Sequence, residues 1–312
     1  MDRVRAVLAI AGPTGSGKSE LALRIAAEFD GEVVNCDSLQ IYRHFDIGTA
    51  KLPLAERRGI PHHLIDVLDP DQTFTAGEYA RLGRLALADI SGRGRLPVVA
   101  GGTGFYLRAL FDGLFRGPTR DEALRERLAA RERRKTGSLH RLLARLDGEA
   151  AARIHANDTP KVTRALEVRL IARRPIGELF REGRDALEGY RTLKIGLAPD
   201  REELYLRLDA RCRRMFECGL MNEVERIVEA GFPPEAKPFE SHGYRQALQM
   251  WRGELNAKEA LFYAQRNTRN YAKRQMTWFR KEPEMEWLKG FGENQELQRT
   301  ALERVHKFLT NC

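Results

Sequence analysis

Cysteine is scarce and unpatterned in this chain of 312 residues. Its four cysteines, Cys36, Cys212, Cys218 and Cys312, form no C-x-x-C pair and no zinc-ligand spacing with histidine. A disulfide framework and a structural zinc site are thereby excluded, and the reduced thiols of a cytoplasmic protein are expected. Long apolar runs are missing too: none approaches the roughly 20 residues that cross a bilayer, so no membrane association is expected. The first apolar run, Val4 to Ala11, is short and leads straight into a glycine-rich loop, unlike a signal peptide. Internal repeats and low-complexity tracts are absent. So is an excess of negative charge: 53 Lys and Arg stand against 44 Asp and Glu, a formal +9 dominated by arginine. Such a balance suits a polyanionic partner, most often nucleic acid, and equally suits plain solubility charge. What remains, 42% hydrophobic residues, suffices for one large domain or two modest ones with real cores.

The strongest positive feature is a complete phosphate loop, Gly12, Pro13, Thr14, Gly15, Ser16, Gly17, Lys18 and Ser19. It follows the apolar run and opens a helix-like stretch, Lys18 to Phe29. A phosphate cradle needs that context, because backbone N–H groups at a helix N-terminus must turn inward around an anion. Lys18 supplies a point charge, and Ser19 supplies an oxygen for Mg²⁺. Taken alone, the motif reads as nucleotide-binding, with ATP as the usual occupant.

Strand-like runs at Val4–Ala11, Glu32–Cys36, His62–Val67 and Leu96–Gly101 alternate with helical patterns at Lys18–Phe29 and Thr75–Ile90. That rhythm predicts an α/β fold with a P-loop parallel sheet as core. From Thr119 to Tyr190 no strand pattern occurs and arginines abound. Helices begin near Asp121, Ser138 and Pro160, the last with Asp158 or Thr159 as N-cap and Pro160 at the first helical position. This stretch reads as a helical insertion domain. A strand at Thr192–Leu197 returns the chain to the sheet, and Asp200 with Glu203 makes a capping-box signature for the next helix. The remainder reads as mainly helical. The expected organisation is core 1–118, insertion 119–190 and core 191–312.

In an open parallel sheet, ligands gather beyond the carboxyl ends of the strands. Three segments fall there: the phosphate loop, Asp37 with Ser38, and Gly101-Gly102-Thr103-Gly104. Asp37 is the natural candidate for a general base, although an Asp capping its own turn is the plain alternative. Thr103 is placed to orient Asp37 or a substrate amine, or to cap the helix that follows. An ordinary P-loop ATPase carries an acid at the end of a buried strand to help hold Mg²⁺; LPVVAGGTG ends in glycines. This weakens ATP hydrolysis but leaves a small-molecule kinase open.

Arg207 and Arg211, four apart on one helix, can reach an anionic leaving group or form a solvated face. Plotted at about 100° per residue, Glu259–Lys281 puts Leu261, Ala264, Tyr271, Ala272, Met276, Trp278 and Phe279 on one side. Arg266, Arg269, Lys273, Arg274, Arg280 and Lys281 fall on the other. No carboxylate intervenes between Glu259 and Glu282, so a cationic stripe suited to a nucleic-acid backbone is expected. A nucleoside kinase shares the loop and sheet but leaves this stripe unexplained. A nucleotide switch would need a γ-phosphate sensor that the sequence does not offer.

Further segments carry a specific resemblance. GPTGSGKS, DSLQIYRHFDIGTAKL (Asp37–Leu52), GGTGFYL (Gly101–Leu107), HANDTPKVTRALE (His155–Glu167), HGYRQ (His242–Gln246) and YAKRQMTWFRK (Tyr271–Lys281) occur in this order. The chain resembles the bacterial tRNA dimethylallyltransferases, the IPP transferase family, over nearly its whole length. The DSLQIYR-to-TAK and KRQMTWFR segments are far more specific than the phosphate loop.

The resemblance implies transfer of a dimethylallyl group from dimethylallyl diphosphate to N6 of the adenine on the 3′ side of the anticodon, in tRNAs that read codons starting with U. It implies that Gly12 to Ser19 and Arg211 hold the diphosphate, with Mg²⁺ at Ser19, that Lys18 and Arg211 aid its departure, that Asp37 takes the N6 proton, and that Thr103 assists. Asp37, Ser38, Leu39 and Gln40 would hold the adenosine. Arg125, Pro160, Lys161, Val162, Thr163, Arg164, Glu240, Ser241, His242, Gly243, Tyr244, Arg245, Lys273, Arg274 and Arg280 would contact the tRNA anticodon stem-loop, which the insertion would clamp. Lys161 departs from the family's usual arginine, keeping charge but losing a bidentate contact. No zinc finger pattern follows at the C-terminal end, in keeping with the bacterial form. A monomeric chain is expected.

Overall fold

The computed structural model describes residues 5–310; Val4 and Cys312 lie outside the described residues. Six strands form one parallel sheet: β1 Arg5–Ala11, β2 Gly31–Asn35, β3 His62–His63, β4 Leu96–Gly101, β5 Tyr190–Ala198 and β6 Met285–Lys289, in the order β3-β2-β4-β1-β5-β6. Helices cover both faces of such a sheet, so its central strands are buried on both sides and read as continuous apolar runs. All of β2 and β1 from Val7 onward are buried accordingly. Leu8, Ile10, Val98 and Ile195 pack against Leu21 and Ile25 of helix α1 (Lys18–Glu28) and Ala301 and Val305 near the C-terminal end.

The next helices are α2 (Ala76–Gly92) and α3 (Gly104–Phe111). Thr75 and Glu78 close a reciprocal capping box on α2, which satisfies two otherwise orphaned N–H groups. The expected strand His62–Val67 is only two residues long. Leu64 and Asp66 take left-handed conformations (φ 60° and 55°), which no strand accommodates. Asn35 Nδ2 bonds Leu64 O at 2.9 Å, and Lys51 Nζ bonds Asp66 at 2.6 Å, so side chains hold this turn.

The chain divides into two units, residues 112–186 and the remainder. These limits fall a few residues before the expected 119 and 190. Leu187 N donates to Phe111 O at 2.8 Å, which returns the chain to the first unit ahead of β5. The second unit carries α4 (Glu122–Arg134), α5 (Ser138–Leu146), α6 (Gly148–Arg153), α7 (Thr159–Ile171) and α8 (Ile176–Arg181) around its own core of Leu128, Leu139, Leu143, Val162 and Leu166. Asp158 caps α7, so Pro160 sits one position deeper than expected.

In the first unit α9 (Arg201–Glu217), α10 (Leu220–Glu229), α11 (Tyr244–Trp251), α12 (Ala257–Phe279) and α13 (Gln295–Thr310) follow β5. Asp200 caps α9 through the N–H groups of Glu202 and Glu203, without a returning Glu203 bond. The remainder is mainly helical as expected, with β6 as an addition: MEWLK is a half-buried edge strand too short and charged to show a pattern. No described helix is long and apolar enough to cross a membrane.

Candidate active site

Strand register brings the three edge segments together. Ala11 of β1 pairs with Gly101 of β4, and Asn35 of β2 pairs with Ala100 of β4. The phosphate loop, the Gly101–Gly104 turn and the Cys36–Asp37 turn therefore leave the sheet side by side. Cys36 N to Ala100 O (2.8 Å) and Thr103 N to Cys36 O (3.1 Å) extend the contact one step past the strands.

Within the loop, Gly15 and Gly17 have φ of 78° and 84°, a region costly for any residue with a Cβ. Ser16 is buried and its hydroxyl has no hydrogen-bond partner. An unpaired polar atom in so polar a loop fits a site built for a hydrogen-bonding ligand. Lys18 Nζ donates to Pro13 O at 2.8 Å. Burial lowers the Lys18 pKa to about 8, opposed by the Asp37 charge and assisted by Arg211. Ser19 is exposed at the start of α1. Among the described residues no cluster of His, Cys, Asp or Glu could hold a metal ion. A lone hydroxyl beside a phosphate cradle fits Mg²⁺, which keeps most of its waters and takes its other oxygens from the phosphates.

A pH dependence follows. An anion in the loop favours charged Lys18, whereas the free protein loses that proton near pH 8. Affinity for inorganic diphosphate, relative to the Lys18→Met variant, should hold below pH 8 and fall by up to about tenfold per unit above it. Calorimetric titration at pH 8 in two buffers of different ionisation enthalpy should register proton uptake by the wild type. Equal uptake in the variant would count against Lys18.

Asp37 Oδ1 accepts from Leu39 N at 2.9 Å, so the turn-capping role is present. Among the described residues its other carboxylate oxygen has no hydrogen-bond partner. Thr103 does not bond Asp37: its hydroxyl accepts from Ser38 N at 3.0 Å and lies 3.4 Å from Ser38 Oγ. Its carbonyl accepts the first bonds of α3, from Tyr106 and Leu107. Gln40 Nε2 donates to Thr49 O at 3.2 Å. Arg211 reaches Thr14 Oγ1 at 3.4 Å and Thr49 O at 3.5 Å, both long, and pairs with no carboxylate among the described residues. Arg207 differs: it pairs with Glu293 and lies over Phe291, away from the role of a free anion ligand.

α12 closes this edge. Its polar residue Gln275 is buried, accepts from Thr14 N at 2.8 Å and donates to Gly102 O at 2.8 Å. A Cβ on Gly102 would lie 2.3 Å from Gln275 Nε2, and one on Gly104 would lie 2.1 Å from the Trp278 ring. The glycines that replace a strand-end acid thus make room for a helix. The Tyr271 phenol is held protonated by burial and by the Asp37 charge, and interacts with Thr103. Neither Tyr271 nor Gln275 stood out in sequence. Gln275 was detectable, as a polar residue three after Ala272 and four before Phe279 on the apolar side.

Of the residues expected on RNA, Lys273, Arg274 and Arg280 are exposed, as are Glu240 and Arg245. Lys273 and Arg274 line a groove with Arg108, Asn270, Thr277, Trp278 and Lys281. Arg269 leaves the cationic stripe, because it pairs with Asp209. Arg274 also approaches His242 Nε2 at 3.3 Å, and Ser241 Oγ donates to Pro238 O. Tyr244 is fully buried: its hydroxyl accepts from Gly48 N at 3.0 Å and donates to Glu223. It braces the Asp46–Gly48 loop instead of facing solvent, and buried Gly243 donates to Gln246. In the second unit, Val162 is core, Arg125 and Arg164 both bind buried Glu167, and Pro160 and Lys161 are exposed while Thr163 is half-buried.

Comparison with known proteins adds relatives to this geometry. The family model described as IPP transferase matches residues 40–282. A tRNA dimethylallyltransferase of Solibacter usitatus is 71% identical over 97% of this chain and 99% of its own length. One of Koribacter versatilis is 53% identical over 94% of this chain and 96% of its own. Among solved structures, a tRNA delta(2)-isopentenylpyrophosphate transferase from Staphylococcus epidermidis is 34% identical with a TM-score of 0.70, covering 99% of this chain and 100% of that one. A eukaryotic dimethylallyltransferase acting on tRNA is 30% identical with a TM-score of 0.83, covering 98% and 80%.

Proposed function

The chain belongs to the IPP transferase family, and from that premise we propose that it transfers a dimethylallyl group from dimethylallyl diphosphate to N6 of the adenine 3′-adjacent to the anticodon. The tRNAs are those that read codons starting with U, and the products are N6-dimethylallyladenosine and diphosphate. The observation that carries this reading is the adjacency of a phosphate loop and a carboxylate with one free oxygen at the ends of β1, β4 and β2.

The allylic C–O bond breaks and its electron pair leaves with the diphosphate, while the same carbon gains a bond to N6. Loop amides, Lys18 and Arg211 receive the charge that grows on the leaving group, a preorganised form of stabilisation. Mg²⁺ at Ser19, when bound, adds Lewis-acid stabilisation of those oxygens. Asp37 accepts the N6 proton through its unbonded oxygen, and its other oxygen holds the turn. The adenine leaves its stack to enter, which a loop permits more readily than a duplex. Lys273, Arg274 and Arg280 on the solvent side of α12 and just past it hold the RNA backbone, with the insertion's exposed Lys161 as a further contact. The reaction belongs in the cytoplasm, where charged substrates and reduced thiols coexist.

Incubation with tRNA and either dimethylallyl diphosphate or ATP, followed by nucleoside mass analysis, tests the reading. One C5 unit on adenosine is expected with the first donor; phosphate transfer from ATP to a small molecule would select a kinase instead. For the RNA face, the double variant Lys273→Ala/Arg280→Ala should weaken tRNA binding and lower the slope of log affinity against log salt by about 1 to 2. An unchanged slope would remove these residues from the interface.

A further inference from the structure

We propose that Gln275 is the positioning residue that sets the diphosphate loop in register with the proton-transfer edge. The inference rests on the transfer reaction above. One buried amide spans the two half-sites: its oxygen takes Thr14 N in the loop, and its nitrogen gives to Gly102 O, next to Thr103. Thr14 and Gly102 leave adjacent strands whose backbone pairing ends at Ala11 and Gly101, so the side chain does there what backbone pairing does in the sheet. The space is reserved for it, because any Cβ on Gly102 would lie 2.3 Å from Gln275 Nε2. The same helix carries Tyr271, whose phenol interacts with Thr103, and exposed Lys273 and Arg274 within one turn of Gln275. Alkyl transfer needs carbon, nitrogen and leaving group in line, and a displacement of about 1 Å costs about a hundredfold in rate. Gln275 therefore acts on the relative placement of two bound substrates and not on the binding of either.

Gln275→Met keeps the volume and removes both bonds. The full chain is expected to bind inorganic diphosphate and tRNA with constants within about threefold of wild type while kcat falls about a hundredfold. Unchanged kcat, or diphosphate affinity lost in step with kcat, would overturn the proposal. Gly102→Ala should give the same signature by pushing the amide aside, and the double variant should be no slower than the slower single one. Multiplying losses would mark two unrelated structural defects and overturn it as well. A readout independent of turnover is hydrogen exchange at the Thr14 amide in the substrate-free chain. It should be slow in wild type and at least about tenfold faster in Gln275→Met. Equal exchange would sink the role of Gln275 even if transfer is confirmed, and absent transfer by wild type would sink the reaction while leaving the clamp to be judged by exchange.

Discussion

Asp37→Asn should lower kcat for prenyl transfer by about a hundred- to ten-thousandfold, the usual worth of a positioned general base. Asparagine is the sharper choice than alanine because the two carboxylate oxygens have separate duties. Oδ1 holds Leu39 N at 2.9 Å, and an amide oxygen serves that bond equally well. Only the acceptor for the N6 proton disappears. Affinity for inorganic diphosphate should change little, or rise slightly, since one negative charge near Lys18 is gone. Single-turnover transfer of labelled dimethylallyl groups, with diphosphate binding measured in parallel, decides the matter. Near-wild-type turnover would reduce Asp37 to a turn residue.

Arg211→Gln is expected to cost about a hundred- to a thousandfold in kcat, comparable to the loss of one preorganised donor at a developing anion. Several arginines of this protein commit their charge to a carboxylate: Arg207 to Glu293, Arg269 to Asp209, Arg125 and Arg164 to Glu167. Arg211 does not. Burial disfavours its charged form, with Asp37 in partial compensation, and its two hydrogen bonds are long. A desolvated cation aimed at a phosphate loop is a poor contributor to stability and a good partner for an anion whose charge increases during reaction. The deficit should therefore appear in kcat more than in KM for dimethylallyl diphosphate. Arg211→Lys should recover little of it, because a point charge lacks the fork that engages two oxygens. A variant with raised KM and intact kcat would assign Arg211 to ground-state binding only.

The sheet edge was legible in sequence because periodic signals are local. The apolar runs of β1, β2 and β4 mark strands buried on both faces, and the loop motif marks a strand-to-helix turn, so their convergence follows from sheet geometry alone. β6 and the truncated β3 were not legible. The first is too short to declare a period, and the second ends where Leu64 and Asp66 turn left-handed under bonds from Asn35 and Lys51, residues distant in sequence. Among site residues, charge was visible and its spending was not. Nothing in the chain order says that Arg269 meets Asp209, or that Tyr244 turns inward to brace Gly48. The inward side of α12 was visible for Tyr271 and Gln275, but their partners were not, since those depend on what the helix is pressed against.

That seat of α12 also limits which side chains the strand end can carry. An acid at position 102 or 104 would give the strand end the metal-holding group of a nucleotide hydrolase, but its first carbon would strike Gln275 or Trp278. Clearing the helix first would break the Thr14 and Gly102 bonds with nothing gained. An acid at this edge therefore comes only with displacement of the Gln275 amide or the Trp278 ring.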